Sequence, residues 1–231
     1  MNLRVNIREP YFTKVFKPAV FVLALLPLAL LGWGVWQDTL GANPIETITR
    51  SLGEWGLRFL LLTLLISTLR RATGWGQGVR MRRMLGLFAF FYGTLHLLSY
   101  LWLDQFFDWA EIWHDIVKRP FITMGMLAFV LMMPLALTSF KAAIRKLGRQ
   151  WQRLHTLIYP LTMLVVLHFW WLADSKARTV MPLVYIVLLA LLLGERLFHW
   201  LRSLNKTPAS RRSRSLPAGY AASRVIAQRR P

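Results

Sequence analysis

The stretch Phe91-Tyr-Gly-Thr-Leu-His-Leu-Leu-Ser-Tyr100 sets a histidine, His96, inside the segment Met84 to Leu103, which carries no acidic or basic residue apart from it. A second such segment, Leu154 to Ala173, holds Leu164-Val-Val-Leu-His-Phe-Trp-Trp171 and with it His168. About twenty apolar residues are enough to cross the hydrocarbon of a bilayer as a helix. A histidine at that depth is costly unless it has a partner, and it reads as a functional residue by default. His96 lies twelve residues into its segment and His168 fourteen into its own, roughly 18 and 21 Å of helical rise. If the two helices run in the same direction, the imidazoles reach nearly the same depth. Facing each other there, they would ligate one flat metallocofactor from both sides, and a haem is the obvious candidate. Two histidine ligands fill both axial positions of an iron, which suits electron transfer and leaves no position for oxygen. The plainer alternative for His96 is a bundle-facing ring bonded to Ser99 or Thr94.

Composition agrees with a membrane protein. The 231 residues are 55% hydrophobic and still carry a formal net charge of +19, a combination expected where apolar spans alternate with basic loops. The eleven tryptophans fall in part near span ends (Trp36, Trp55, Trp102, Trp170, Trp171, Trp200), where they read as interfacial anchors and packing groups. There is no cysteine. That excludes disulfides, thiol catalysis, cysteine-ligated iron–sulfur clusters and covalent haem attachment. The run Ala19 to Trp36 is long and has no small-residue cleavage site after it, so it is expected to be a retained span and not a signal peptide.

Six apolar segments are expected as spans, at about 19–36, 55–69, 84–103, 121–139, 154–173 and 180–200; the second is short and contains Arg58. The charges between them segregate. Arg4, Arg8, Lys14 and Lys17 precede the first span, Arg70, Arg71, Arg80, Arg82 and Arg83 separate the second from the third, and Lys141, Arg145, Lys146, Arg149 and Arg153 separate the fourth from the fifth. With six crossings these groups and the Arg-rich tail share one side, cytoplasmic by the positive-inside rule. Most acids fall on the other. The expected fold is an all-α integral membrane protein, a six-transmembrane-helix bundle with both termini cytoplasmic. Residues 1–18 form a basic N-terminus, 19–200 the membrane domain and 201–231 a basic, disordered tail held near lipid headgroups. No reader fold accompanies the tail, so nucleic acid is not an expected partner. No internal repeat is evident.

Three other histidines are weaker candidates. His155 precedes His168 by thirteen residues, which leaves the two about 140° apart on an ideal helix, although Pro160 between them can shift the register. It is a candidate ligand of a second haem at the inner leaflet. Arg82, fourteen residues before His96, is on nearly the same helix face and would pair with a haem propionate. His199 is a candidate partner near the end of the sixth span, and His114 reads as a loop residue. Gly93, one turn before His96, would let a bulky ring approach the helix.

Leu40-Gly-Ala-Asn-Pro44, Arg82-Arg-Met-Leu-Gly-Leu87, Thr94-Leu-His-Leu-Leu-Ser-Tyr100, Lys118-Arg-Pro-Phe-Ile-Thr123 and Leu147-Gly-Arg-Gln-Trp-Gln-Arg-Leu-His155 together carry a resemblance. Over roughly residues 15 to 200 the chain resembles the haem-binding membrane subunits of bacterial periplasmic methionine sulfoxide reductase systems (the MsrQ family, formerly YedZ), which have a ferric-reductase-like transmembrane domain. The resemblance implies an inner-membrane haem b subunit. It would take electrons from the quinone pool or a cytoplasmic flavin reductase and pass them to a periplasmic molybdopterin-containing methionine sulfoxide reductase. FMN is implied for some members, though no flavin motif can be pointed to here. In the wider ferric-reductase-like group two helices carry two haem-ligating histidines each; this chain departs from that pattern at Arg82, a departure that leaves the implied outer haem on His96 and His168 untouched and puts the inner one on His155, and its second ligand, in doubt. Some thirty residues follow the sixth span, without a Gly-x-Gly-x-x-Gly, too few for a dinucleotide fold. The sulfoxide chemistry is therefore expected elsewhere, with the long acidic loop Asp104 to Pro120 as the expected docking segment. The rivals are a ferric or quinone reductase using the same haem and, from another class, a small permease or assembly factor without haem.

Overall fold

In the computed structural model, residues 11–174 and 180–204 are described. Nine α-helices appear among them: α1 (Lys17–Trp36), α2 (Pro44–Thr73), α3 (Gly78–Ser99), α4 (Trp109–Lys118), α5 (Pro120–Leu137), α6 (Lys141–Leu147), α7 (Arg149–Leu154), α8 (Ile158–Asp174) and α9 (Val180–Leu204). Six helical stretches are long and apolar enough to cross a membrane: Lys14–Trp36, Pro44–Thr73, Arg80–Asp104, Pro120–Leu137, Arg149–Ala173 and Val180–His199. These match the six expected spans, and the protein is a multi-pass membrane protein. Most of the proposed tail, from residue 205, and residues 1–10 lie outside the described residues.

The chain divides into two compact units, residues 1–189 and 190–231. In the second, the end of α9 is described, where Glu195 pairs with His199 at 3.2 Å and Arg202 lies over the Phe198 ring. The first unit holds the remaining helices.

Local chemistry explains the element ends. Asn43 caps α2 by accepting the Glu46 amide, and Pro44 starts the helix where its missing N–H is no loss. Gly74, at φ 71°, closes it in the left-handed region. Asp108 caps α4 by accepting from Ala110 and Glu111.

The second span is far longer than hydropathy suggested, because its charges neutralise each other within the helix. Arg50 and Arg58 bind the two oxygens of Glu54 at 3.0 and 2.8 Å. Arg58 also donates to the Tyr185 hydroxyl at 3.1 Å and lies over the Trp55 ring at 4.6 Å. Partners of this kind let ionisable groups persist in a span.

Within the first unit, α2 packs most extensively on α3, and α5 on α8, with α3–α5 and α2–α8 contacts joining the pairs. Phe59 of α2 stacks against Phe88 and Tyr92 of α3, and the buried Tyr92 hydroxyl donates to the Ala24 carbonyl of α1. On their outer sides the helices present leucine, valine and tryptophan, as lipid-facing surfaces do.

The segment after the third span folds as α4. Ile112 and Asp115 on one face are 4% and 0% exposed, whereas Trp109, Trp113 and Val117, at i, i+4 and i+8, are 67%, 68% and 64% exposed. A short amphipathic helix bracketed by two span ends, with tryptophans outward, has the form of an interfacial helix.

Candidate functional site

α3 and α8 bring His96 and His168 together, with ring centres 6.0 Å apart and planes inclined at 74°. Neither ring uses the neighbours on its own helix. Ser99 donates to the His96 carbonyl and Thr94 to that of Phe90. The His96 Nδ1 instead donates to the Thr49 carbonyl of α2 at 2.8 Å, and the His168 Nδ1 to the Phe121 carbonyl of α5 at 2.6 Å. A carbonyl can only accept, so each Nδ1 carries the proton and each Nε2 keeps its lone pair. An imidazole held this way by its second nitrogen is oriented as a metal ligand.

A glycine makes room for each ring. A Cβ added at Gly53 would lie 3.0 Å from the His96 Nδ1, and one added at Gly125 would lie 2.9 Å from the His168 Nδ1. Thr49, Gly53 and His96 correspond to Phe121, Gly125 and His168 with a constant offset of 72 positions, and both Nδ1 bonds bridge 47 residues. The two helix pairs thus present their histidines by the same device, a repeat that the sequence alone did not reveal.

Both imidazoles line a cavity of about 850 Å³ whose walls include the small residues Gly53, Gly56, Gly93, Ala89, Gly125 and Ala128. That volume lies in the range of cofactor sites. Asn43, Glu46, Arg50, Asp104 and Arg119 gather at one end, near the first turns of α2 and α5 and the close of α3. Thr49 also lines the cavity, and its Oγ1 is buried without a hydrogen-bond partner. Metal–imidazole bonds of about 2 Å on opposite sides of one ion would set two ring centres roughly 6 Å apart. The donor set, the glycine cradle and the orphaned hydroxyl all fit a flat metallocofactor ligated on both faces.

A family model described as "Ferric reductase like transmembrane component" matches residues 52–166. The chain is 52% identical to the "Protein-methionine-sulfoxide reductase heme-binding subunit MsrQ" of Azospira oryzae, over 84% of this chain and 83% of that one. It is 49% identical to the protein of the same description from Xanthomonas euvesicatoria, over 87% and 94% of the two chains. A third, from Xanthomonas oryzae, is 50% identical over 85% and 92%. The chain belongs to the MsrQ family.

The other candidates in this family member lie apart from the cavity, which neither His155 nor Arg82 lines. His155 occupies a tight turn, His155–Leu157, where the helix is interrupted just ahead of Pro160. Its ring stacks on Trp151 with centres 3.9 Å apart, and its Nδ1 donates to the Trp151 carbonyl at 3.1 Å. Arg82 is within electrostatic reach of His155 and Tyr159. His114 is exposed on α4, 3.8 Å from Glu111.

Gly93 lines the cavity as expected, but a Cβ there would meet Met132 at an ordinary 3.7 Å. The tight glycines are Gly53 and Gly125, on the partner helices, and sequence reasoning missed them. Their signal was present: the spacing from Gly53 to His96 recurs from Gly125 to His168.

Proposed function

We propose that this chain is the haem b subunit of a protein-methionine-sulfoxide reductase system in the bacterial inner membrane, with His96 and His168 as the axial ligands of one haem. The observation that carries the reading is the pair of imidazoles with ring centres 6.0 Å apart, both lining one cavity and each with its Nδ1 committed to a carbonyl. The relatives, described as haem-binding subunits of protein-methionine-sulfoxide reductase, support the haem and the system it serves. A bound haem supplies one-electron exchange between ferric and ferrous iron. The protein's share is to fix both imidazole tautomers, hold the rings at coordination distance and close the axial positions to oxygen. Electrons would enter from the quinone pool or a cytoplasmic flavin reductase and leave to a periplasmic molybdopterin-containing catalytic subunit. Both termini would then be cytoplasmic, a placement that the charge of the basic loops supports. FMN enters this reading on the resemblance alone, and flavin fluorescence after denaturation of the purified protein tests it.

The test is a reduced-minus-oxidised absorption spectrum of the detergent-purified protein with a pyridine haemochrome assay. A low-spin b-type signal is expected, lost in His96→Ala and in His168→Ala while both variants still insert in the membrane. A haem to protein ratio of one corresponds to this site alone; a ratio of two assigns a second haem to His155, beside Arg82. A protein that stays colourless after haem supplementation overturns the reading in favour of a permease or assembly factor.

A further inference from the structure

The cavity's polar end contains a second recognition element, one that no ligand histidine explains. Arg50 and Arg119 both line it, and both are anchored by a carboxylate. Arg50 donates from Nε to Glu54 at 3.0 Å, and Arg119 forms an ion pair with Asp115, Nε to Oδ1 3.0 Å, without hydrogen-bond alignment. The anchors are themselves fixed. Glu54 is held by Arg58 on its other oxygen, and the fully buried Asp115 accepts from Tyr100 at 3.0 Å and Gln105 at 3.2 Å. A guanidinium has a five-donor fork. Engaging only Nε leaves the terminal amino groups, which among the described residues bind no other side chain. Arg50 directly follows Thr49, whose carbonyl orients His96. Arg119 lies two positions before Phe121, whose carbonyl orients His168. Both cations therefore sit within a turn of the groups that set the ligand rings. Glu46 and Asp104 line the same end, so an anionic ligand edge is admitted there only where cations meet it directly.

We propose that Arg50 and Arg119 form a two-pronged carboxylate clamp, seating the two propionates of the haem and fixing which edge of the macrocycle faces the Asn43–Asp104 end of the cavity. The clamp concerns the haem between His96 and His168 and is separate from the contact suggested for Arg82 near His155. The inference rests on the haem reading above. Charge-assisted hydrogen bonds of this type are among the strongest in proteins, and two of them hold the acid edge without adding a ligand to the iron.

The experiment is reconstitution of the haem-free full-length protein in detergent with haem or with haem dimethyl ester, followed by transfer of each to excess apomyoglobin. Wild type is expected to release the ester faster than the free acid by roughly tenfold or more. In Arg50→Gln/Arg119→Gln the free acid is expected to leave as fast as the ester, with the low-spin bis-histidine spectrum retained before transfer. Equal release of acid and ester from wild type overturns the clamp, and that arm needs no variant to fold. Wild type that forms no low-spin complex with either compound overturns the haem reading itself, and the clamp with it.

Discussion

Gly125 lies so close to His168 that a Cβ on it would stand 2.9 Å from Nδ1 and 3.0 Å from Cε1. The ring cannot retreat freely, because its Nδ1–H is bonded to the Phe121 carbonyl. Gly125→Ala must therefore either break that bond or turn the imidazole. A lower haem content is expected, with a weaker or high-spin component in the absorption spectrum. Gly53→Ala should act in the same direction on His96, where a Cβ would stand 3.0 Å from Nδ1. Haem to protein ratios of the two variants check this; wild-type loading in Gly125→Ala would show that the cradle is slack.

The inclination of the two imidazole planes, 74°, has a spectroscopic consequence. Axial imidazoles near perpendicular leave the iron orbitals nearly degenerate, whereas coplanar ones split them. Low-temperature electron paramagnetic resonance of the oxidised protein is expected to show a strongly anisotropic low-spin signal. A well-resolved rhombic low-spin signal would mean that the rings turn toward coplanarity when ligated.

Charge pairing inside the second span predicts non-additive mutations. Arg58→Met removes the partner of one Glu54 oxygen, the Tyr185 bond and the Trp55 contact, and should cost about 1–2 kcal/mol for these partly exposed groups. Adding Glu54→Gln removes the carboxylate left short of a partner and should recover part of the loss. Melting temperatures of the two single variants and the double variant, in one detergent, measure the coupling. Strict additivity would count against the pairing.

The exposed face of α4 predicts where its tryptophans reside. Trp109 and Trp113 in nanodiscs should be quenched by lipids brominated near the headgroup end of the acyl chain, and less by lipids brominated near its terminus. Asp108 and Glu111 are exposed as well. Equal insensitivity to both lipids would move the tryptophans off the membrane and make them part of the docking surface.

Much of this was legible in the sequence, for physical reasons. Uncharged runs of bilayer length announce spans, and the matched depth of His96 and His168 announced that the two rings come together. The length of α2 was not legible, because hydropathy counts Arg50, Glu54 and Arg58 as three charges while the helix pairs them at i, i+4. Nor was the support of each histidine. Main-chain carbonyls of Thr49 and Phe121 leave no side-chain signature, and an offset of 72 positions is hard to see when threonine corresponds to phenylalanine. Arg82 and His155 were singled out by spacing along one helix. Which residues share a cavity depends on how helices pack, and packing there selected Arg50 and Arg119.

The matched helix pairs give the cofactor a mechanical meaning. His96 belongs to the α2–α3 hairpin and His168 to the α5–α8 pair, in a chain with no cysteine with which to bridge them. A group bonded to both acts as a removable staple across a long loop, and such closures restrict the open ensemble most when the loop is long. On the haem reading, a filled protein would be held across the seam between the two helix pairs, and an unfilled one would be freer to open there.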